Sequence, residues 1–153
     1  MTFASVLAAG CCNEKADEQA VNTAVAIDNR LSDAEKQAGL FTAEVMWKMG
    51  RIGSQHLSPD GTKLLYTLTE YNLAENKGIT TLWVRDMTTG EQTQITDYTS
   101  SNHSPQWLDN NSIAFLSNRS GSTQVWAMNI DQSNVHQLTS FEKDVEGFGI
   151  AGD

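Results

Sequence analysis

Leu57-Ser-Pro-Asp-Gly-Thr-Lys-Leu-Leu-Tyr66, followed by Leu82-Trp-Val84 and Gln94-Ile-Thr96, returns further along the chain as Trp107-Leu-Asp-Asn-Asn-Ser-Ile-Ala-Phe115, Val125-Trp-Ala127 and Gln137-Leu-Thr139. Trp83 and Trp126 stand 43 residues apart, and so do Thr96 and Thr139. A period of about 40–45 residues carrying several short apolar strands is the spacing of a propeller blade. Each repeat is then one small twisted sheet that cannot cover both its faces alone and stacks on its neighbours. The pattern predicts an all-β fold: an incomplete β-propeller of about two four-stranded blades, preceded by a short helix and a disordered N-terminal leader.

The repeat places the first blade over 51–98, the second over 99–140 and the start of a truncated third over 141–153. Within the first, Ser58-Pro59-Asp60-Gly61 is a hairpin turn, because proline pre-sets φ at the second position and glycine suits the last. Thr88-Thr89-Gly90 joins the third strand to the fourth through a short loop in which glycine takes the left-handed conformation. In the second repeat Asp109-Asn110-Asn111 replaces the Pro-Asp-Gly turn, with asparagine expected at positive φ. Tyr71 to Ile79 is longer than its counterpart Asn118 to Ser122 and is expected to loop out on one rim. Trp83, Trp107 and Trp126 fall at strand positions, where large aromatic rings fill space within and between blades. Closed propellers have about 4–8 blades, so the reading expects further blades in a longer polypeptide.

Before the repeats the composition changes twice. Met1 to Gly10 is apolar, rich in alanine and uncharged, and small residues lead directly into Cys11. Residues 1–11 therefore resemble a bacterial lipoprotein signal with Cys11 as the lipidated residue and a lipid anchor as the membrane attachment, although no Lys or Arg precedes the apolar run. The stretch is too short to span a bilayer as a helix. Residues 12–39, rich in Ala, Asp, Glu, Asn and Gln, read as a flexible linker that cannot bury enough surface to offset its ordering entropy. A coil of that length reaches roughly 30 Å. Over 40–50 a short helix is expected, with Thr42 as its cap and Val45, Met46 and Met49 packing on the propeller.

Charge and the remaining polar residues exclude several classes. The chain carries 19 acidic against 10 basic residues, a formal charge of −9, and offers no basic stripe for a polyphosphate backbone, so no nucleic acid is expected as a partner. Cys11 and Cys12 are the only cysteines. As sequence neighbours they do not suit an ordinary disulfide, and no Cys-x-x-Cys pair exists for zinc. His56, His103 and His136 occupy unrelated positions of the repeat and read as surface or edge-strand residues. Gly147-Phe-Gly-Ile-Ala-Gly152 matches a dinucleotide-binding pattern but lacks the strand before and the helix after that would receive a pyrophosphate. Asn102, Asn110 and Asn118 head glycosylation-type triplets that read as coincidence in turn-rich segments. No metal ligand and no cofactor residue is assigned.

The order of helix, Arg51-Ile-Gly-Ser54, Leu-Ser-Pro-Asp-Gly61, Thr-Gly-Glu91, Gln-Ile-Thr96, then Ser104-Pro-Gln-Trp107, Ile113-Ala-Phe-Leu-Ser-Asn-Arg-Ser-Gly121, Gln-Val-Trp126 and Gln-Leu-Thr139 resembles the start of bacterial prolyl oligopeptidase family enzymes, nearest their dipeptidyl peptidase and acylaminoacyl peptidase branch. The resemblance runs from about Leu40 to Phe148. It implies an N-terminal propeller placed before a C-terminal α/β-hydrolase domain, a serine peptidase of the cell envelope or periplasm, and short peptides as substrates admitted by the propeller. Acyl transfer by serine needs a nucleophile on a sharp turn, a histidine base, an orienting carboxylate and oxyanion donors. No Gly-x-Ser-x-Gly occurs in the chain, so no catalytic residue is carried over, and the hydrolase domain is an expected covalent partner beyond it. Glu142, Asp144 and Glu146 form an acidic cluster in reach of a peptide amine, but loop charges facing water explain it better. The Ser-Pro-Asp-Gly repeat is also similar to non-catalytic periplasmic propellers of the Tol-system type, which bind a protein partner.

Overall fold

In a computed structural model, residues 27–151 are described, and Cys11 with the leader and most of the expected linker lies outside them. Two four-stranded sheets account for the repeats. The first is β1 (Arg51–Leu57), β2 (Lys63–Asn72), β3 (Lys77–Asp86) and β4 (Gln92–Gln94); the second is β5 (Asn102–Trp107), β6 (Ser112–Ser117), β7 (Gln124–Asn129) and β8 (His136–Gln137). In both, spatial order follows chain order and every pairing is antiparallel, the up-and-down meander of a blade. The registers match: Tyr66 faces Trp83, which faces Gln94, as Phe115 faces Trp126, which faces Gln137.

Alternation along the strands sends one set of side chains from each sheet into a shared core. Leu65, Leu82, Val84 and Ile95 of the first sheet meet Ile113, Phe115 and Met128 of the second, with Trp107, Trp126 and Ile130 half-buried at the margin. Leu65, Leu82, Ile113 and Phe115 are wholly shielded from solvent, and complete burial of such side chains stabilises by roughly 1.5–3 kcal/mol each. The core lies between the sheets, so neither blade is complete without the other. The second sheet's far face bears Ala114, Leu116 and Val125, on which Val145 and Phe148 pack.

The structure corrects four expectations. Residues 12–39 are not linker throughout, because α1 (Asp33–Ala38) forms inside that span. Ser32 accepts from the Glu35 N–H while Glu35 accepts from the Ser32 N–H, a capping box that closes the first turn. Tyr71 to Ile79 is not a loop, since β2 and β3 stay paired out to Asn72 and Lys77 and only four residues turn. Thr69 and Thr80 share a hydroxyl hydrogen bond across that extension, 2.8 Å. The second helix, α2 (Ala43–Lys48), is capped by Thr42 as expected, but Val45 alone is buried while Met46 and Met49 face solvent. The Asp109-Asn110-Asn111 turn uses no left-handed asparagine. Asp109 holds it instead, accepting from the Asn111 and Ser112 N–H groups at 2.6 and 2.8 Å.

Candidate functional site

Every blade ends in the same clasp. Thr96 Oγ1 accepts from the buried Leu82 N–H at 2.8 Å, and Gln94 Nε2 donates to the Thr96 carbonyl at 2.7 Å. In the second repeat Thr139 Oγ1 accepts from Val125 N–H at 2.9 Å and Gln137 Nε2 donates to the Thr139 carbonyl at 2.5 Å. The Gln-x-Thr phrase thus replaces a ladder hydrogen bond with side-chain ones, letting the chain leave its sheet at β4 and β8 without stranding a donor. Beyond the clasp the path repeats as well. Thr80 N–H reaches Ser101 Oγ, 3.4 Å, and Thr123 N–H reaches Asp144 Oδ1, 2.5 Å. Gln124 fixes the second crossing: its Oε1 accepts from Phe141 N–H and its Nε2 donates to the Phe141 and Lys143 carbonyls.

These crossings, the β2–β3 and β6–β7 turns and the helices gather at one rim. Arg119 lies over the Phe115 and Trp126 rings, 5.2 and 5.0 Å from their centroids. Its Nε donates to Ser117 Oγ at 3.0 Å and one terminal nitrogen to Asn102 Oδ1 at 3.1 Å. Partial loss of hydration on the rings lowers the guanidinium's pKa, while Asp97 acts in the opposite sense. Tyr98 donates to Glu70 Oε2 at 2.7 Å, and burial, then that bond, pushes its pKa up to about 12. Arg51 lies 4.9 Å from the Trp47 ring centroid and 4.7 Å from that of Tyr71, and donates to the Tyr71 hydroxyl. The extension of β2 and β3 therefore carries the residues, Glu70 and Tyr71, that hold the crossing chain and α2. The rim presents guanidinium, carboxylate and amide groups suited to recognition by hydrogen bonds.

The residues singled out from sequence separate into several places. His56, His103 and His136 lie on β1, β5 and β8, each exposed. His103 Nδ1 stands 3.5 Å from the adjacent Ser104 Oγ, and among the described residues no carboxylate hydrogen-bonds any of the three rings. No cluster of three or more His, Cys, Asp or Glu among the described residues has metal-binding geometry. Of the acidic cluster, Asp144 is an anchor for the crossing chain, while Glu142 and Glu146 face water. Phe148, inside the glycine-rich stretch, packs on the second sheet, and its carbonyl accepts from Gln106 Nε2 at 3.0 Å. The glycosylation-type asparagines have structural partners: Asn102 is buried under Arg119, Asn110 Oδ1 accepts from Asp60 N–H, and Asn118 Oδ1 accepts from Ser101 N–H. Arg119 went unassigned in the sequence. Its only signal was its place in the phrase Phe115-Leu-Ser-Asn-Arg119, four residues past an aromatic strand position.

A family model described as TolB beta propeller domain matches residues 39–147. Dipeptidyl-peptidase 5 of Porphyromonas endodontalis is 27% identical over 127 residues, covering 82% of this chain and 18% of the relative. Dipeptidyl-peptidase 5 of Porphyromonas gingivalis is 34% identical over 86 residues, covering 56% of this chain and 13% of the relative. Among solved structures, an acylaminoacyl peptidase of Pyrococcus horikoshii superposes with a TM-score of 0.51 at 20% identity, over 61% of this chain and 14% of that one. The last likeness is one of fold. This chain spans less than a fifth of the length of the two curated relatives.

Proposed function

Because the chain belongs to the TolB beta propeller domain family, we propose that it forms the opening blades of the propeller of a cell-envelope serine peptidase of the prolyl oligopeptidase family, acting on short peptides. The observation that carries this reading is the similarity to two dipeptidyl-peptidases 5, which extends in one case over 127 residues and so beyond the two sheets. In this reading the blades contribute no bond-making group. Their work is steric and polar: they wall off a hydrolase domain carried elsewhere in the protein and meet entering peptides with rim groups such as Arg119 and Glu70. Cys11 belongs to the same proposal as the lipid-anchored residue. Among the described residues no helix is long and apolar enough to cross a membrane.

The test is labelling with a serine-directed fluorophosphonate, together with release of dipeptidyl and acyl-aminoacyl chromogenic groups. It is applied in parallel to the product of the complete reading frame and to the 153-residue chain. The complete product is expected to label and turn over; the 153-residue chain is expected to do neither, since it lacks a Gly-x-Ser-x-Gly nucleophile. Incorporation of labelled fatty acid by the exported protein, abolished by Cys11→Ser, tests the anchor. A complete product that neither labels nor cleaves selects the second reading, a non-catalytic periplasmic propeller that binds a protein partner, which the family description favours.

A further inference from the structure

The two repeats complete the same aromatic pair in different ways. On the first sheet Tyr66 stacks on Trp83, and the Trp83 indole N–H donates to Thr81 Oγ1 at 3.0 Å. Two residues before Trp126 stands Gln124 instead, and its amide is taken up by the crossing chain. The Trp126 indole N–H is buried with no acceptor among the described residues. Over that ring lies Arg119, with Nε on Ser117 and one terminal nitrogen on Asn102. Its other terminal nitrogen has no acceptor among the described residues either. The stack is therefore short of acceptors, in a place where the guanidinium is already partly desolvated.

The groove beside this stack lies between the two sheets and is built by both. Buried Ile95 and Met128 of the shared core line its base, with Val135 beside them. At the margin Gln132 Nε2 reaches the Gln94 carbonyl, 3.4 Å, and ties the second sheet to the first. Facing Arg119 from the first sheet's crossing is Asp97. One of its oxygens accepts from the Thr99 N–H and hydroxyl, while the other has no donor and the carboxylate forms no ion pair among the described residues. Asp97 is near enough to act on the Arg119 pKa without pairing with it. The groove holds about 250 Å³, less than the roughly 300–1,000 Å³ of sites for drug-sized ligands. Its occupant is correspondingly small.

We propose that this groove between the blades binds a free α-amino acid with an apolar side chain: its carboxylate on Arg119, its ammonium on Asp97 and its side chain on Ile95, Met128 and Val135. A simple anion would meet Arg119 but also the Asp97 charge, and a simple cation would meet the reverse. A zwitterion satisfies both walls, and in an α-amino acid its two charges are joined through one carbon. Arg119 is set for the task, because the rings beneath it and its bonds to Ser117 and Asn102 fix the plane of the guanidinium and little side-chain freedom is lost on binding. Both walls belong to this chain and one core sets their spacing. The site thus goes beyond the peptidase reading and stands without it.

Equilibrium dialysis of labelled L-leucine against the 153-residue chain tests this. The expected result is saturable binding of one equivalent, half-complete at or below about 1 mM. L-leucinamide, which lacks the carboxylate, and N-acetyl-L-leucine, which lacks the ammonium, should each compete at least about tenfold less well, since each forfeits one charge-assisted hydrogen bond. Asp97→Asn keeps an oxygen for Thr99 and removes the charge. It should weaken leucine about tenfold and, with the repulsion gone, strengthen N-acetyl-L-leucine, a gain that unfolding cannot produce. Arg119→Gln should erase the preference for leucine over leucinamide. Absence of saturable leucine binding, or a preference for the zwitterion that survives Asp97→Asn, overturns the proposal and leaves the Arg119 stack as a brace of its own blade.

Discussion

Thr96 is 7% exposed, and its hydroxyl is the acceptor for an N–H at a residue with no solvent contact at all. Thr96→Val keeps the shape and removes the acceptor, leaving a buried donor unmet at a cost of about 1–3 kcal/mol. Thr96→Ser should retain most of the stability, and urea unfolding of the pair measures the difference. The turns at the opposite rim depend on carboxylates in a similar way. Asp60, Asp86, Asp109 and Asp131 each accept N–H bonds from residues two or three ahead. Hydrogen bonding from Ser58 and Thr62 holds Asp60 down at about 2, and the pKa values of the other three are lowered by like bonds. A depressed pKa means stability that is fully present above the ordinary carboxylate value and lost as pH falls through the folded one. The thermal midpoint should therefore hold to about pH 4 and fall towards pH 2, and Asp60→Asn should flatten that descent. The recurrence of Gln-x-Thr and of the turn residues was legible in the sequence. Their work was not, because a side chain standing in for a backbone acceptor leaves no trace in composition or hydropathy.

At the scale of elements, the strands and the turns between them followed from period and turn chemistry, and α2 from its threonine cap. Two elements did not. The composition of residues 12–39 pointed to coil, yet Ser32 and Glu35 carried a capping box, and the salt bridge from Lys48 to Glu35, 2.8 Å, ties α1 to α2. The outer part of the β2–β3 hairpin was hidden because its sequence, Tyr71 to Ile79, is polar. Its ladder is stabilised by what it supports, the stack of Arg51 on Trp47 and Tyr71. A cation–π contact of this kind contributes about 0.5–2 kcal/mol. Trp47→Ala should accelerate amide exchange through Ala43–Lys48 while leaving the exchange of β6 and β7 unchanged. Gly78→Val should act on the same elements from the other side, because a Cβ at position 78 would sit 2.9 Å from the Tyr71 ring.

For the whole molecule, the shared core makes the two blades one unit. Phe115 has no solvent exposure and lies between sheets, so Phe115→Ala should cost about 3–5 kcal/mol and lower the unfolding midpoints reported by Trp83 and Trp126 together. The sequence could place Phe115 on a strand, but not Arg119 above it, since that contact depends on how a loop folds back over its own sheet. The crossings at Thr96 and Thr139 have a mechanical consequence. Each is the point where a continuous ladder gives way to a few side-chain bonds, so a chain pulled from its ends has its weak seams there, 43 residues apart. Extended polypeptide spans about 3.3–3.6 Å per residue, so each seam that opens should lengthen the tether by a contour increment of roughly 150 Å. Because one core joins the two blades, a pulling trace should show both seams giving way in a single event, about twice that increment in length.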